Sequence, residues 1–244
     1  MKAIHLIKVS LFIIACAMIS CQKDSISISG QGSIASKTLS ISDFSGIDLA
    51  EAGNVVVSQG AIQEVVATGH TNIIDRIRKE VSGDTWKIDF EKGRYKDYEL
   101  TINITVPNLK SISLSGSGHI TVNDFIDQSE LDIDLSGSGQ IDLYRFTGPK
   151  NMDVDISGSG TITGNSEIPL LQNANIKISG SGRYDGFPIM SDDCKIKMSG
   201  SGNCNVSVRN TLDVTISGSG TVYYRGNPTV MDHTNSAGHI IDAN

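Results

Sequence analysis

The sequence predicts an all-β chain wound as a parallel β-helix, a β-solenoid with coils of roughly 20 residues. Three observations carry this. The tetrapeptide Ser-Gly-Ser-Gly occurs six times, beginning at Ser115, Ser136, Ser157, Ser179, Ser199 and Ser217, at spacings of 21, 21, 22, 20 and 18 residues. Each copy is flanked by an alternation of apolar and polar residues, which a flexible Gly/Ser linker does not show. The chain also holds 25 glycines, with aromatic residues only 5% of the total, a composition that needs either a periodic or a disordered explanation.

The alternation is the stronger half of the signal. One residue before each motif stand Leu114, Leu135, Ile156, Ile178, Met198 and Ile216; three before stand Ile112, Ile133, Val154, Ile176, Ile196 and Val214. Between them lie Ser113, Asp134, Asp155, Lys177, Lys197 and Thr215, so each segment reads as a strand with one buried face. After each motif, Ile120, Ile141, Ile162, Tyr184, Cys204 and Val222 resume the inward set. Every repeat is therefore strand, corner, strand, and equivalent residues of successive coils stack.

At the start of the chain, Lys2 and Lys8 precede an apolar run from Val9 to Ile19, ending at the small-residue junction Ser20-Cys21. That pattern predicts a signal peptide over residues 1–20; about a dozen apolar residues fall short of the roughly 20 that cross a bilayer as a helix. Met18-Ile19-Ser20-Cys21 resembles a lipobox, which makes Cys21 the lipidated first residue of the mature chain and the membrane its partner through the lipid. Ile13-Ile14-Ala15-Cys16 fits the same pattern with a shorter apolar run. Residues 21–26 then form a tether, and Gln22-Lys23-Asp24 resembles the short acidic tags of surface-exposed lipoproteins.

Residues 27–244 read as one solenoid domain. Degenerate copies of the corner occur at Ser29-Gly-Gln-Gly32, Ala50-Glu-Ala-Gly53 and Ser236-Ala-Gly238. A non-repetitive insert near 55–107 interrupts the pattern. It holds strand-like Glu64–Ala67, a short amphipathic helix around Ile73–Ile77, then strands around Trp86–Phe90 and Leu100–Val106, and is expected to cover an otherwise exposed solenoid edge.

The corner glycines are Gly116, Gly118, Gly137, Gly139, Gly158, Gly160, Gly180, Gly182, Gly200, Gly202, Gly218 and Gly220. They are expected where a positive φ or a close backbone approach forbids a Cβ. Their serines are placed to bond backbone freed at the bend and to stack as hydroxyl ladders. Cys194 and Cys204 lie ten residues apart in an exported setting. They form either a disulfide across a corner or two small buried apolar residues.

Charge and motif content narrow the function. The leader carries two of the 20 basic residues and none of the 27 acidic ones, leaving the mature chain at −9, which argues against nucleic acid as a partner. No Gly-rich copy is followed by a helix pattern or a Lys-Ser/Thr pair, so the phosphate-cradle reading fails. Asp132, Asp134, Asp153 and Asp155 are outward positions on two successive coils, and such carboxylates serve as acid and base or hold Ca²⁺. The following coils place Lys177, Lys195 and Lys197 at the same phases, and alternating charge along a face reads as solvated surface. His119 and His239 take the same phase after their glycines but lie at opposite ends of the array, and His70 and His233 have no triad or metal-ligand spacing. No catalytic residue, metal or cofactor is therefore assigned.

The repeated corners, together with Phe44-Ser-Gly-Ile-Asp-Leu-Ala-Glu-Ala-Gly-Asn-Val55, resemble the putative auto-transporter adhesin, head GIN domain family (DUF2807) of envelope lipoproteins. The resemblance runs from Ser27 to Ala243. It implies a right-handed β-helix without the catalytic residues of pectin lyase-like folds, and an adhesion or binding role, with a glycan or surface protein as partner. Ala50-Glu-Ala-Gly53 departs from the pattern by lacking serines, which bears on any function needing an unbroken serine ladder. A structural envelope spacer and a polysaccharide-active enzyme are the alternatives.

Overall fold

The structure, a computed structural model, describes residues 27–169, 171–235 and 237–244. The expected signal peptide, the lipidation residue Cys21, the tether and Ser236 lie outside them. The N-terminal half contains β1 (Ser27–Ser29), β2 (Ile34–Thr38), β3 (Gly46–Leu49), β4 (Asn54–Gln59) and β5 (Glu64–His70). The short helix α1 (Thr71–Ile74) follows, then β6 (Val81–Ser82), β7 (Thr85–Ile88), β8 (Arg94–Lys96) and β9 (Leu100–Val106). The repeats supply β10 (Ser111–Leu114), β11 (His119–Asn123), β12 (Leu131–Leu135), β13 (Gln140–Leu143), β14 (Asn151–Ile156) and β15 (Thr161–Gly164). The last coils are β16 (Leu171–Ile178), β17 (Arg183–Met198), β18 (Asn203–Ile216), β19 (Thr221–Arg225), β20 (Thr229–Asp232) and β21 (His239–Asp242).

These strands form a parallel β-solenoid whose register follows the alternation. Ile112 pairs with Ile133, Ile133 with Val154, Val154 with Ile176, Ile176 with Ile196 and Ile196 with Val214. The residues before each corner stack likewise, from Leu114 through Leu135, Ile156, Ile178 and Met198 to Ile216. With a side-chain period of two, a slip by one residue would turn this whole apolar set outward. One continuous core results, in which both ladders are buried. Strands preceding the corners build one sheet and strands following them a second. A shorter third side carries buried Phe125 and Phe146, joined by a parallel bridge. In the last coils this side merges into the long bent strands β17 and β18.

The stretch 55–107 differs from the expected side insertion. β7 pairs parallel with β3, and β9 with β4, so both extend the stack on its N-terminal side although they follow β3 and β4 in sequence. Their connection, Asp89–Glu99, swings out as a strap and is not seated on a preceding corner. Its one glycine, Gly93, faces side-chain atoms of Ile28 and Tyr95 and not a stacked carbonyl, so the corner pattern does not recur there and the repeat is invisible in the sequence. The cap lies further out: β5 runs antiparallel to β9, β2 antiparallel to β5, and β6 antiparallel to β7. Buried Ile73 and Ile74 of α1, with Leu39, Phe44 and Trp86, complete this end of the core. An antiparallel cap removes the open parallel edge that would otherwise template pairing with another chain.

The degenerate copy Ser29–Gly32 is not a corner of the stack. β1 pairs with β8 of the strap, while β2 belongs to the cap. Gly32 instead takes a left-handed φ of 83° with open space around it, the conformational reason for glycine. The copy Ala50–Gly53 is a true corner, joining β3 to β4.

Candidate functional site

At each Ser-Gly-Ser-Gly corner the parallel hydrogen-bond ladder continues through the bend. Ser138 N–H donates to the Gly116 carbonyl at 3.2 Å, and Gln140 N–H to the Gly118 carbonyl at 3.1 Å. The same two bonds recur one coil on, from Ser159 to Gly137 and from Thr161 to Gly139. Backbone therefore passes directly over backbone. A Cβ on Gly137, Gly158, Gly180, Gly200 or Gly218 would fall on the carbonyl oxygen of the first corner glycine one coil below. None of the twelve corner glycines has a left-handed φ, so close approach alone excludes a side chain. The serines project outward and are exposed. Their hydroxyls make few contacts, chiefly Ser201 with Ser219 at 3.1 Å, because the backbone has already satisfied itself.

On the sheet preceding the corners, Asp132 pairs with Asp153 and Asp134 with Asp155, as the in-register stacking requires. They line a shallow depression of about 250 Å³ with Ser111, Ser113, Asn175 and Lys177. Burial, then Asp153 and Glu130, push the Asp132 carboxyl above its ordinary range; burial, then Asp155 and Asp48, do the same to Asp134. The strip is closed on its far side by Asn175, whose amide donates to Asp153 at 2.8 Å, and by Lys177, 3.9 Å from Asp155. Lys195 pairs with Asp213 at 3.0 Å. The four carboxylates thus project side by side from a flat sheet, and among the described residues no three His, Cys, Asp or Glu side chains converge as a metal site.

The opposite sheet carries a second polar surface. His119 Nε2 lies 2.7 Å from Asp142, which also accepts from Gln140 at 2.9 Å. Farther along, Arg183 donates to Asp185 at 3.0 Å and Asn205 donates to its other oxygen at 2.8 Å. Burial pushes the Asp185 carboxyl up, but these bonds and the Arg183 charge outweigh it and hold the group below its ordinary range. The Arg225 guanidinium sits 4.1 Å from the Phe187 ring centroid. The sequence pattern does not single out this cluster. Its only trace is the shortening of the coil from 20 to 18 residues after Ser199.

Cys194 and Cys204 are free, buried thiols of the inward set. Cys194 stacks between Ala174 and Leu212, and Cys204 between Tyr184 and Val222. The expected alternative of a disulfide is therefore absent from this structure. Burial pushes the Cys194 thiol up to about 12 and raises Cys204 well above its ordinary value.

The strap explains the serine-free corner. Tyr98 donates its hydroxyl to the Ala52 carbonyl at 2.7 Å, and its ring meets Phe90 edge-on at 5.6 Å. The strap and corner enclose a cleft of about 630 Å³ that includes Glu51, Tyr95 and Glu99. Burial, then Asp89, raise the Glu51 carboxyl above its ordinary range. Among the described residues no helix is long and apolar enough to cross a membrane.

A parallel β-solenoid whose polar side chains stand in flat registered rows is a repeat scaffold that presents surfaces. Residues 43–228 match the family described as putative auto-transporter adhesin, head GIN domain (DUF2807), and the chain belongs to it. Comparison with curated protein sequences found no match. Among solved structures, a putative adhesin from Bacteroides fragilis NCTC 9343 is similar at 21% identity and a TM-score of 0.80, over 88% of this chain and 99% of that one. A putative adhesin from Parabacteroides distasonis ATCC 8503 is similar at 18% identity and 0.72, over 88% and 99%. A putative lipid binding protein from the same organism is similar at 20% and 0.72, over 88% and 96%. At these identities the likeness is one of fold.

Proposed function

We propose that this chain is a non-catalytic envelope lipoprotein, exported, anchored at the outer membrane through Cys21, and acting as an adhesin or binding module. The observation that supports it is the pair of broad polar faces, each row held in register by strands paired on both sides. Such a frame favours multipoint contact with a repetitive partner, in which individually weak contacts add through effective concentration. A glycan or another surface protein has the required regularity. Membership of an adhesin-head family agrees with this reading.

The carboxylate strip fits the same role. Its raised acids, Asp132 and Asp134, follow from partial desolvation first and in-register like charges second, and the adjoining lysines make the row alternate in sign. Incubated with acidic polysaccharides, with and without Ca²⁺, the protein is expected to release no reducing ends and no unsaturated sugars. Turnover that disappears in Asp134→Asn/Asp155→Asn would replace the binding reading with an enzymatic one.

A further inference from the structure

Between β17 and β18 the coils fall out of step twice, and the larger shift lies at the end of the second sheet. Asp185 pairs with Asn205, but the next partners are Met190 and Ser207, so β17 carries a bulge at Gly186–Ile189 that β18 lacks. Phe187 lies within this bulge and is partly exposed. Ser207 Oγ donates to the Phe187 carbonyl at 2.7 Å, and Arg225 covers the ring. The coil above contributes Tyr223, in register with Asn205. Between two bulky levels the intervening coil offers only small polar side chains, Asn203, Asn205 and Ser207. The result is a pocket of about 330 Å³, lined by Arg183, Phe187, Asn203, Asn205, Tyr223 and Ala243.

We propose that this pocket is a subsite for one pyranose residue of a glycan; the proposal rests on the binding-module reading and supplies it with a place and a ligand class. The volume is at the small end of the roughly 300–1,000 Å³ typical of ligand pockets, which suits a single ring. Tyr223 offers flat apolar surface for the C–H face of a sugar, beside Phe187, one face of which Arg225 covers. Around them the amides of Asn203 and Asn205 can both donate and accept, and Arg183 donates. Asn205 is held by its donation to Asp185, while its amide oxygen accepts no hydrogen bond from the described residues. The Tyr223 hydroxyl likewise bonds none of them. Arg183 is fixed by Asp185, so the polar lining is organised before a ligand arrives, which lowers the ordering cost of binding.

Other ligand classes fit less well. β17, β18 and β19, which carry the pocket's aromatic and amide side chains, are paired on both sides, so an extended peptide could add only at the free edge of β20 and β21, one coil beyond them. A nucleotide base would stack, but the mature net charge of −9 opposes its phosphates. Bulges that re-aim side chains beside functional sites are a recurrent use of this irregularity, and here it interrupts an otherwise repeating frame.

The test is a printed array of neutral and uronate-containing oligosaccharides probed with the full chain, with each hit titrated calorimetrically. Tyr223→Ala is expected to weaken hits at least about tenfold, a typical loss for an aromatic anchor, and Tyr223→Trp to retain them. Glu80→Gln, exposed beside β6 at the N-terminal cap, is expected to leave affinity within about twofold, the ordinary effect of a distant site, while Asp134→Asn reports whether a hit sits on the acidic strip instead. Circular dichroism of Tyr223→Ala separates a lost contact from a lost fold, and retention by Tyr223→Trp supports the site even if Tyr223→Ala unfolds. Hits that survive Tyr223→Ala in a folded protein, or that depend on Asp134, overturn the pocket and leave the binding-module reading standing. An array without hits, from protein that still adheres to cells, overturns the glycan assignment alone. An array without hits from protein that adheres to nothing overturns both.

Discussion

Adding one methyl group at a corner should cost far more than its size, because the obstacle is backbone. In Gly137→Ala the new Cβ would fall on the Gly116 carbonyl oxygen, with Ser115 O at 2.7 Å and Gly116 C at 2.9 Å. No rotamer change can relieve this. The corner must lift away from the coil below, stretching the bonds Ser136 N–H to Leu114 O at 3.1 Å and Ser138 N–H to Gly116 O at 3.2 Å. Losing one or two such bonds at about 0.5–1.5 kcal/mol each, with overpacking of about 1–3 kcal/mol, gives roughly 1.5–6 kcal/mol. For a chain of this size that lowers the melting temperature by about 3–24 °C. Gly53→Ala is the internal control, since it sits at the end of the corner stack and its nearest neighbour is Leu100 O at 3.5 Å. Its cost should stay near the roughly 0.5 kcal/mol of an unstrained substitution. Calorimetric melting of the two variants side by side tests this. Equal melting temperatures would refute the claim that carbonyl stacking, and not local turn conformation, requires the glycines.

Two further predictions concern charge and thiols. Asp134 is raised above its ordinary value by burial and by Asp155 and Asp48, so the folded state binds its proton more tightly than the unfolded state does. Its ionisation therefore destabilises the fold, fully above the raised value, and the penalty disappears as pH falls through the folded value to the ordinary one. Asp134→Asn should accordingly raise stability at pH 7 by about 0.2–1 kcal/mol, the scale of a like-charge cross-strand contact, and confer no gain near pH 3; urea midpoints at both values decide it. Cys194 and Cys204 should resist a thiol reagent at pH 8 in the native protein and titrate as two free thiols in denaturant without reductant. Non-reducing conditions that leave both unreactive after unfolding would establish the disulfide.

The repeat coils were legible because one physical rule generates them. In a stack of parallel strands, Ile112, Ile133 and Val154 must share a face, and each corner must admit the carbonyl of the last, so alternation and glycine recur together. The parts that escape the sequence are those whose constraint comes from a non-repeating neighbour. Trp86 and Ile88 of β7 and Ile102 and Ile104 of β9 read as isolated strands, since their strap has no glycine packed against a stacked carbonyl and they stack against earlier segments. The Ser29–Gly32 motif looks like a corner, but an open turn with a positive φ asks for the same residue. The acidic strip was visible as Asp132/Asp134 over Asp153/Asp155, because register alone sets it. The Phe187–Tyr223 pocket was not, because it depends on a bulge that appears in sequence only as two residues missing from the following coil.

The central claim, surface binding by an anchored repeat module, is tested most directly by adherence of whole cells. Cells producing the chain should adhere to glycan-coated or protein-coated surfaces more than cells lacking it. Cells producing Cys21→Ala at equal level should lose that gain and shed the protein from the membrane fraction. Adherence that is the same in all three, with the wild-type chain still membrane-bound, would contradict the account.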